Sequence, residues 1–502
     1  MKNKVFGYAR VSSKEQNEKR QLWAFKEFNI DERDIYIDKQ SGKDFNRNQY
    51  NILKNILREN DIRGRYPNEI NEDTVRIIGH AFAYYIKEHN YNKCIVGHDN
   101  RLSSESLNKS LIESLISSGI NVINIGLVST PMLNYATFIK NIDYALMITA
   151  SHNDKDDNGI KIFGHEHLHL RQEELQILYK YIKERKEVSG TGSLTNISIN
   201  DDYANMLINK FGKINKKVVV DCGNGTASII VKKVYSKIFN NVSYINSESD
   251  GSFPVHNPDP NVSKNLKWLI DEVKLRKFDL GIAFDGDADR VGIVDNAGNI
   301  ISTDYLIAIF CKEIINQNEN KNIVIDIKCS KAVEHEIKKQ GGTPVIVKNG
   351  SAYIETYCHD LPSLLGGEYS GHIFFKDDFY GFDDGLYAGL RMAKLIMNRK
   401  IESSKLTMDM EKYYSTEEIR VTVNDTKKEE IIKSIKNYAL SKNYNCNFTD
   451  GVRVEYEDGF SLIRKSNTGP TITMRFEAKT KEKLDERQKE FTDKLNEIIK
   501  KI

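Results

Sequence analysis

Asp143-Tyr144-Ala145-Leu146-Met147-Ile148-Thr149-Ala150-Ser151-His152-Asn153 is an apolar run that breaks into a small polar turn. Residues 143–148 read as a short buried strand, so Ser151 stands at its carboxyl end, where open α/β sheets place their ligands. A hydroxyl there can carry a phosphoryl group. His152 and Asn153 can orient that group, and Lys161, which follows the turn Asp157-Asn158-Gly159, can return as a general acid or base. By itself the pattern is more often a plain loop, because serine is a common turn residue.

What a phosphoserine would need appears downstream. Residues 280–284 form another apolar strand, ending in Asp285-Gly286-Asp287-Ala288-Asp289-Arg290. Three carboxylates on alternate residues of a turn offer hard oxygen ligands of the kind magnesium takes, leaving room for water and a phosphate oxygen. A calcium loop of the EF-hand kind would lie between two helices and continue to a glutamate at its twelfth position, whereas this one follows a strand. Arg290 can hold a phosphate beside the metal. Further on, Gly366-Gly367-Glu368-Tyr369-Ser370-Gly371-His372 reads as a flexible loop whose carboxylate, hydroxyls and imidazole suit vicinal sugar hydroxyls. Arg464-Lys465-Ser466-Asn467-Thr468-Gly469-Pro470 lies between two strands and reads as a phosphate nest or a hairpin turn.

The remaining pattern is β-α alternation. A helix over 71–89, a strand over 93–97, a helix capped by Ser104, a strand over 121–125 and a helix opening after Pro131 lead up to Ser151. His165, His167 and His169 alternate on what reads as a solvated strand edge, without acidic or cysteine partners at ligand spacing. Past a polar stretch at 189–200 the theme restarts with a strand over 218–221, the structural turn Gly223-Asn224-Gly225-Thr226 and a helix. A third set has strands at 323–327 and 343–347, with Lys328 just past the first. From about residue 412 the order changes to α+β, closing on an amphipathic helix with Leu484, Phe491, Leu495 and Ile498 on one face.

Composition bounds the reading. The 502 residues suggest three or four domains, and 73 basic against 71 acidic residues give no global argument for nucleic acid or an anionic membrane. Six scattered cysteines, with no pair at zinc-ligand spacing, suit a reducing cytosol. The start is too short in its apolar part for a signal peptide, and no run is long enough to span a bilayer, so the expected location is cytoplasmic.

The first sixty residues differ from the rest. Strands at 5–12 and 34–38, with helices over 15–28 and 49–57, carry Tyr8-Ala9-Arg10-Val11-Ser12. This order and motif resemble the amino-terminal part of the serine recombinase catalytic domain, of the resolvase and invertase type. The resemblance implies Ser12 as a DNA-attacking nucleophile and Arg10 as a phosphate-binding arginine. It stops near residue 61, before the rest of that domain and any DNA-binding module, so a truncated remnant without DNA chemistry is the favoured reading.

Residues 61–502 resemble the α-D-phosphohexomutase family, most closely its bacterial phosphomannomutase/phosphoglucomutase branch. The matching stretches are 149–153, 285–290, 366–372 with the following Phe374-Phe375 and Gly381-Phe382-Asp383-Asp384-Gly385, and 464–470. The resemblance implies three successive mixed α/β domains and a C-terminal α+β domain around a central cleft, with boundaries at 61–197, 198–299, 300–411 and 412–502 after a partial α/β fragment at 1–60. It implies Ser151 as the phosphoserine and a metal ligand, and Asp285, Asp287 and Asp289 as ligands of one Mg2+. Arg63, His152, Lys161 and Arg290 complete the reacting site, with Lys328 beside them. Glu368, Ser370 and His372 meet the sugar, and Arg464, Ser466, Asn467 and Thr468 hold the other phosphate. Hexose 1-phosphate and 6-phosphate are the implied substrates, with a sugar bisphosphate as activator. Two positions depart from the family. Leu57-Arg58-Glu59-Asn60 replaces the strand that normally enters Asp61-Ile62-Arg63-Gly64, which is expected to leave a sheet edge unpaired, and Ser351 stands where histidine is common. An inactive fusion is the alternative reading.

Overall fold

The computed structural model describes residues 7–10, 35–38, 53, 56–58, 61–315, 320–466 and 469–501. The chain divides into two compact units, Met1–Ile56 and Leu57–Ile502. In the first, strands Gly7–Arg10 and Ile35–Asp38 pair in parallel, as the β-α-β reading expects. Ser12, the helix read over 15–28 and most of that read over 49–57 lie outside the described residues, as do Asn467 and Thr468.

Among its described residues the second unit carries four sheets. Its first is six-stranded, in the order Ile62–Arg65, Asp157–Phe163, Ala145–Ile148, Lys93–His98, Asn121–Leu127, Leu194–Asn196. The second runs Phe239–Ile245, Ile214–Asp221, Leu280–Phe284, Val291–Asp295, Ile300–Ile301, and the third Thr343–Val347, Asn322–Asp326, Ser363–Gly367, Ile373–Phe375. These three share one device. A fully buried strand runs parallel to its inner neighbour, ends in a loop, and returns as an antiparallel strand: Ala145–Ile148 into Asp157–Phe163, Leu280–Phe284 into Val291–Asp295, and Ser363–Gly367 into Ile373–Phe375. Continuous apolar runs form these inner strands because helices cover both faces of such sheets. The fourth sheet is antiparallel, built on Val452–Tyr456, Gly459–Lys465 and Thr471–Ala478, with helices Lys428–Ser441 and Lys481–Lys501 closing its core.

One continuous apolar core joins the first three sheets, from Ile95 and Met147 through Val220, Ile282 and Phe284 to Ile325, Phe375 and Leu386. The C-terminal domain keeps its own core and meets its neighbour through ions: Arg453 to Glu334 at 2.9 Å, Arg475 to Asp304 at 3.1 Å, and Lys331 to Glu455 at 2.9 Å. A small apolar trio, Ile327, Phe460 and Leu462, supplements them.

Several local expectations change. Arg63 lies on a strand that the sequence pattern does not announce: Ile62–Arg65 pairs antiparallel with Asp157–Phe163, and Leu57 bridges back to Ile62. Four residues with two arginines and a glycine carry too little apolar signal to read as a strand. Ser103, not Ser104, precedes the helix Ser104–Ser117, and the Ser104 hydroxyl is bonded to Asp99 instead. The three histidines do not share a strand face. His165–His167 is a 3₁₀ turn with Glu166 and His167 at positive φ, while His169 is buried against Glu355 at 2.8 Å. The polar stretch at 189–200 contains the short edge strand Leu194–Asn196, and Gly366 and Gly367 belong to a buried strand rather than to a flexible loop.

Asp384 shows how the core handles a carboxyl. It caps helix Gly385–Asn398 through the Tyr387 N–H at 2.9 Å and accepts the Tyr203 hydroxyl at 2.8 Å. Burial pushes its pKa up to about 7. A raised carboxyl favours the protonated form in the folded state, so its stabilising effect is complete below the unfolded value near 4 and is lost as pH rises to 7. Asp384→Asn keeps the shape and the Tyr387 contact without the charge, its amide N–H donating to the Tyr203 hydroxyl oxygen in place of accepting from it. The substitution is expected to stabilise the protein by roughly 1–3 kcal/mol at pH 7.5 and hardly at all at pH 4. Denaturant midpoints at the two pH values check it; an equal shift at both would contradict the assignment.

Candidate active site

Ser151 sits at the end of the buried strand Ala145–Ile148 with φ +51°, a left-handed conformation that costs energy for a residue with a Cβ. Its N–H donates to Thr149 Oγ1 at 2.9 Å, and its Oγ donates to Asp285 Oδ2 at 2.8 Å. His152 Nδ1 stands 3.3 Å from the same Oγ. Burial, reinforced by the charges of Arg290 and Arg63, holds the His152 imidazole well below its usual pKa, so the ring is neutral.

Two arginines hold the turn. Arg63 Nη1 donates to the Ala150 carbonyl at 3.2 Å and to Asn153 Oδ1 at 2.8 Å, while its Nε pairs with Asp61 at 2.6 Å. Arg101, which the sequence reading passed over, is buried and gathers four backbone carbonyls. It donates to Ser151 O and Asn153 O at 2.9 Å each, to Asp157 O at 3.0 Å, and to Asp154 O. Asp99 holds it from behind, through Nε at 3.2 Å and the backbone N–H at 3.0 Å. The only sequence signal was an aspartate-arginine pair just beyond a strand.

The acidic loop meets this turn directly. A Cβ at Gly286 would come within 2.4 Å of the Ser151 carbonyl, so only glycine allows the approach. Asp285, Asp287 and Asp289 are buried, with one oxygen of each inside a 4.8 Å cluster. Asp287 Oδ2 accepts from Lys161 at 2.7 Å and Thr130 at 2.6 Å, and Lys161 also pairs with Asp289. Burial alone would discharge Lys161, but Asp287 and Asp289 raise its pKa, which makes it a held cation rather than a resting base. Asp285 is pushed far up by burial and by the charges of Asp289 and Asp287. Two further oxygens, Asp287 Oδ1 and Asp289 Oδ1, are buried with no hydrogen-bond partner. Hard, unpartnered, mutually repelling carboxylate oxygens fit a divalent metal ion.

Arg290 ties the acidic loop to the third domain. Its backbone N–H donates to Asp285 Oδ1 at 3.1 Å, and its Nε donates to His372 Nε2 at 2.8 Å. His372 Nδ1 in turn donates to Asp383 Oδ2 at 2.6 Å. Asp289, His372 and Asp383 also lie close enough to hold a metal, but both ring nitrogens of His372 are already engaged in the Arg290–His372–Asp383 relay.

A second basic group lies toward the C-terminal domain. Lys328 is buried between Glu418 at 3.5 Å and Asp326 at 3.9 Å. Although burial pushes it up, Lys328 and Arg420 bring the Glu418 carboxyl down to about 2. Arg464 pairs with Asp450 at 2.8 Å, and Asp450 also accepts the Asn349 N–H at 3.2 Å, one residue before the Gly350 that precedes helix Ser351–Asp360. Tyr369 offers its ring to Arg475 at 4.0 Å and Lys328 at 5.6 Å. Glu368 lies between the two groups: burial raises its carboxyl, but His372, Lys328 and Arg290 together hold it low. Of the sequence-predicted residues, Arg63, Ser151, His152, Lys161, the three aspartates, Arg290 and His372 form one network. Lys328 and Arg464 form the second, with Ser466 just past the strand that carries Arg464.

A buried serine hydroxyl held against an acidic triad, with a second set of basic side chains toward the C-terminal domain, fits a phosphoryl-transfer protein of the phosphosugar mutase class. Family models described as phosphoglucomutase/phosphomannomutase α/β/α domains I, II and III match residues 54–189, 199–298 and 302–413, and the C-terminal domain model matches 418–494. The chain belongs to the phosphoglucomutase/phosphomannomutase family. It is 38% identical to a phosphomannomutase/phosphoglucomutase of Pseudomonas syringae pv. tomato over 88% of this chain and 95% of that one. It is 34% identical to a phosphoglucomutase of Neisseria meningitidis, over 88% and 96%. A crystal structure of a family protein from Burkholderia thailandensis superposes with a TM-score of 0.82 at 31% identity, over 89% of this chain and 98% of that one. The model of the resolvase N-terminal domain matches residues 5–64.

Arg101→Ala leaves Asp99 buried without its cation and four carbonyls without their donor. It is expected to cost about 3–5 kcal/mol of stability, with Arg101→Lys recovering only part, since an ammonium cannot fork to four carbonyls. Thermal unfolding, with limited proteolysis across residues 150–157, checks both.

Proposed function

We propose that the chain interconverts the 1- and 6-phosphates of a hexose, glucose or mannose, through phosphoserine 151 and a bisphosphate intermediate. The observation that carries this is the Ser151 hydroxyl at 2.8 Å from Asp285 of the buried acidic triad, on a turn fixed by two arginines. Phosphoserine 151 gives its phosphoryl group to the free hydroxyl of a hexose monophosphate. The Oγ–P bond breaks as the new O–P bond forms, and the proton of the attacking hydroxyl leaves to the site's acid–base groups. The bisphosphate turns round, and its other phosphate returns to Ser151.

Arg63, Lys161 and Arg290 set positive charge around the transferring group, which is most of what such a transition state asks of a protein. Asp383 accepts from His372 Nδ1 and so keeps the Nε2 lone pair turned toward Arg290. Asp285, Asp287 and Asp289 hold the metal, read here as Mg2+, which when bound supplies Lewis acidity toward phosphoryl oxygens. Glu368 and Ser370 meet the sugar hydroxyls, while Lys328 and the loop of Arg464, Ser466, Asn467 and Thr468 take the phosphate that is not reacting. The roles divide as phosphoserine at 61–197, metal at 198–299, sugar at 300–411 and phosphate at 412–502. A sugar bisphosphate restores phosphoserine after any loss, and a cytoplasmic setting suits six free cysteines. No helix among the described residues is long and apolar enough to cross a membrane.

The full chain is expected to convert glucose 1-phosphate and mannose 1-phosphate to the 6-phosphates in a coupled assay with Mg2+ and a trace of bisphosphate. Chelation should stop turnover and Mg2+ restore it, and Ser151→Ala should lower kcat by about a thousandfold or more. Normal turnover by Ser151→Ala would overturn the reading.

A further inference from the structure

Between the second sheet's outer strand and helix Lys267–Arg276 runs His256-Asn257-Pro258-Asp259-Pro260-Asn261. This segment touches three of the four functional loops, those of the phosphoserine, the metal and the sugar. Asn257 Nδ2 donates to the carbonyl of His152, the residue after the reactive serine, at 3.0 Å. Four residues on, Asn261 Nδ2 donates to the carbonyl of Ser370 in the sugar-facing loop. Between them the two prolines are buried against the metal loop and the strand that leaves it. A Cβ at Gly286 would stand 3.4 Å from Pro258, and one at Gly292 only 2.7 Å from Pro260.

The segment is stiff and anchored. Proline fixes its own φ and restricts the residue before it, so Asn-Pro-Asp-Pro has little freedom to lengthen or shorten. At one end His256 bonds the Asn257 carbonyl at 2.9 Å and Asp221, the last residue of strand Ile214–Asp221, at 3.2 Å. At the other, the Asp259 carboxylate accepts the Asn261 N–H at 3.0 Å, and its carbonyl accepts from Asn265 at 2.9 Å.

We propose that this two-proline strap is a spacer that sets the distance between the phosphoserine turn and the sugar loop across the metal loop, with Asn257 and Asn261 as its positioning residues. Neither asparagine needs to touch substrate. The kinetic side of the proposal rests on the mutase reading above; the mechanical side does not. A spacer of this kind matters to an enzyme that must present both ends of one sugar to the same serine, because each transfer needs the hydroxyl within near-attack distance of phosphorus.

The test uses the full chain with Asn257→Ala and Asn261→Ala. Amide hydrogen exchange read by mass spectrometry is expected to rise only in peptides covering 149–156 for Asn257→Ala, and only in peptides covering 366–373 for Asn261→Ala. In steady-state assays Asn257→Ala should lower kcat about 3–10-fold with KM little changed, while Asn261→Ala should raise KM by a similar factor with kcat nearly kept. Uniform loosening of both loops in both variants, or exchange and kinetics equal to the parent chain, would overturn the proposal. A parent chain without Ser151-dependent turnover would overturn the mutase reading, and the crossed exchange pattern would then decide the spacer by itself.

Discussion

Three carboxylates gathered out of water repel one another, and nearly everything near the site follows from keeping Asp285, Asp287 and Asp289 in place. The compensation is not local to their loop. Lys161 comes from the first sheet, the Thr130 hydroxyl from a helix of the same domain, and the Ser151 hydroxyl from the turn after strand Ala145–Ile148. Arg290 adds charge at the loop's end and is itself held by His372 of the third domain. Low polarity inside the protein strengthens these pairings and makes each unpaired oxygen costly, so assembling the triad and bringing the domains together are one event.

The three α/β domains meet this demand with the same piece of topology. In each, a buried strand carries its loop to the sheet's carboxyl edge, and the chain returns antiparallel alongside. The return strand anchors both ends of the loop, which lets a turn contain strained residues such as Ser151 and Ala288, both at positive φ, without unravelling. The C-terminal domain is built otherwise and supplies its charged groups, Arg464 and Arg475 among them, from strands.

How much of this was written locally is uneven. The inner strands were legible because buried parallel strands are unbroken apolar runs, and the serine, acidic and glycine-rich turns stood out by sitting directly after them. Arg101 and the contacts of the Arg290–His372–Asp383 relay were not, and Arg63 came only from the family resemblance. Arg101 finds its carbonyls 50 to 56 residues away and Arg290 its imidazole 82 away, distances at which periodicity carries no information. The alternating histidines misled for the same reason: a period of two was real in the sequence, but positive φ at Glu166 and His167 broke the strand, and Glu355 took His169 into the interior. Ser104 looked like a helix cap and instead serves Asp99, the partner of Arg101.

The shared apolar core has a consequence for how such a chain comes off the ribosome. Strand Lys93–His98 and helix Gly385–Asn398 contribute to one interior although nearly three hundred residues separate them. Until the later helix has emerged, the earlier sheets carry uncovered apolar faces, and contacts so distant in sequence form slowly. The first three domains therefore have no complete interior until residue 398 has been made, while the C-terminal domain closes a core of its own and joins them through an ionic seam.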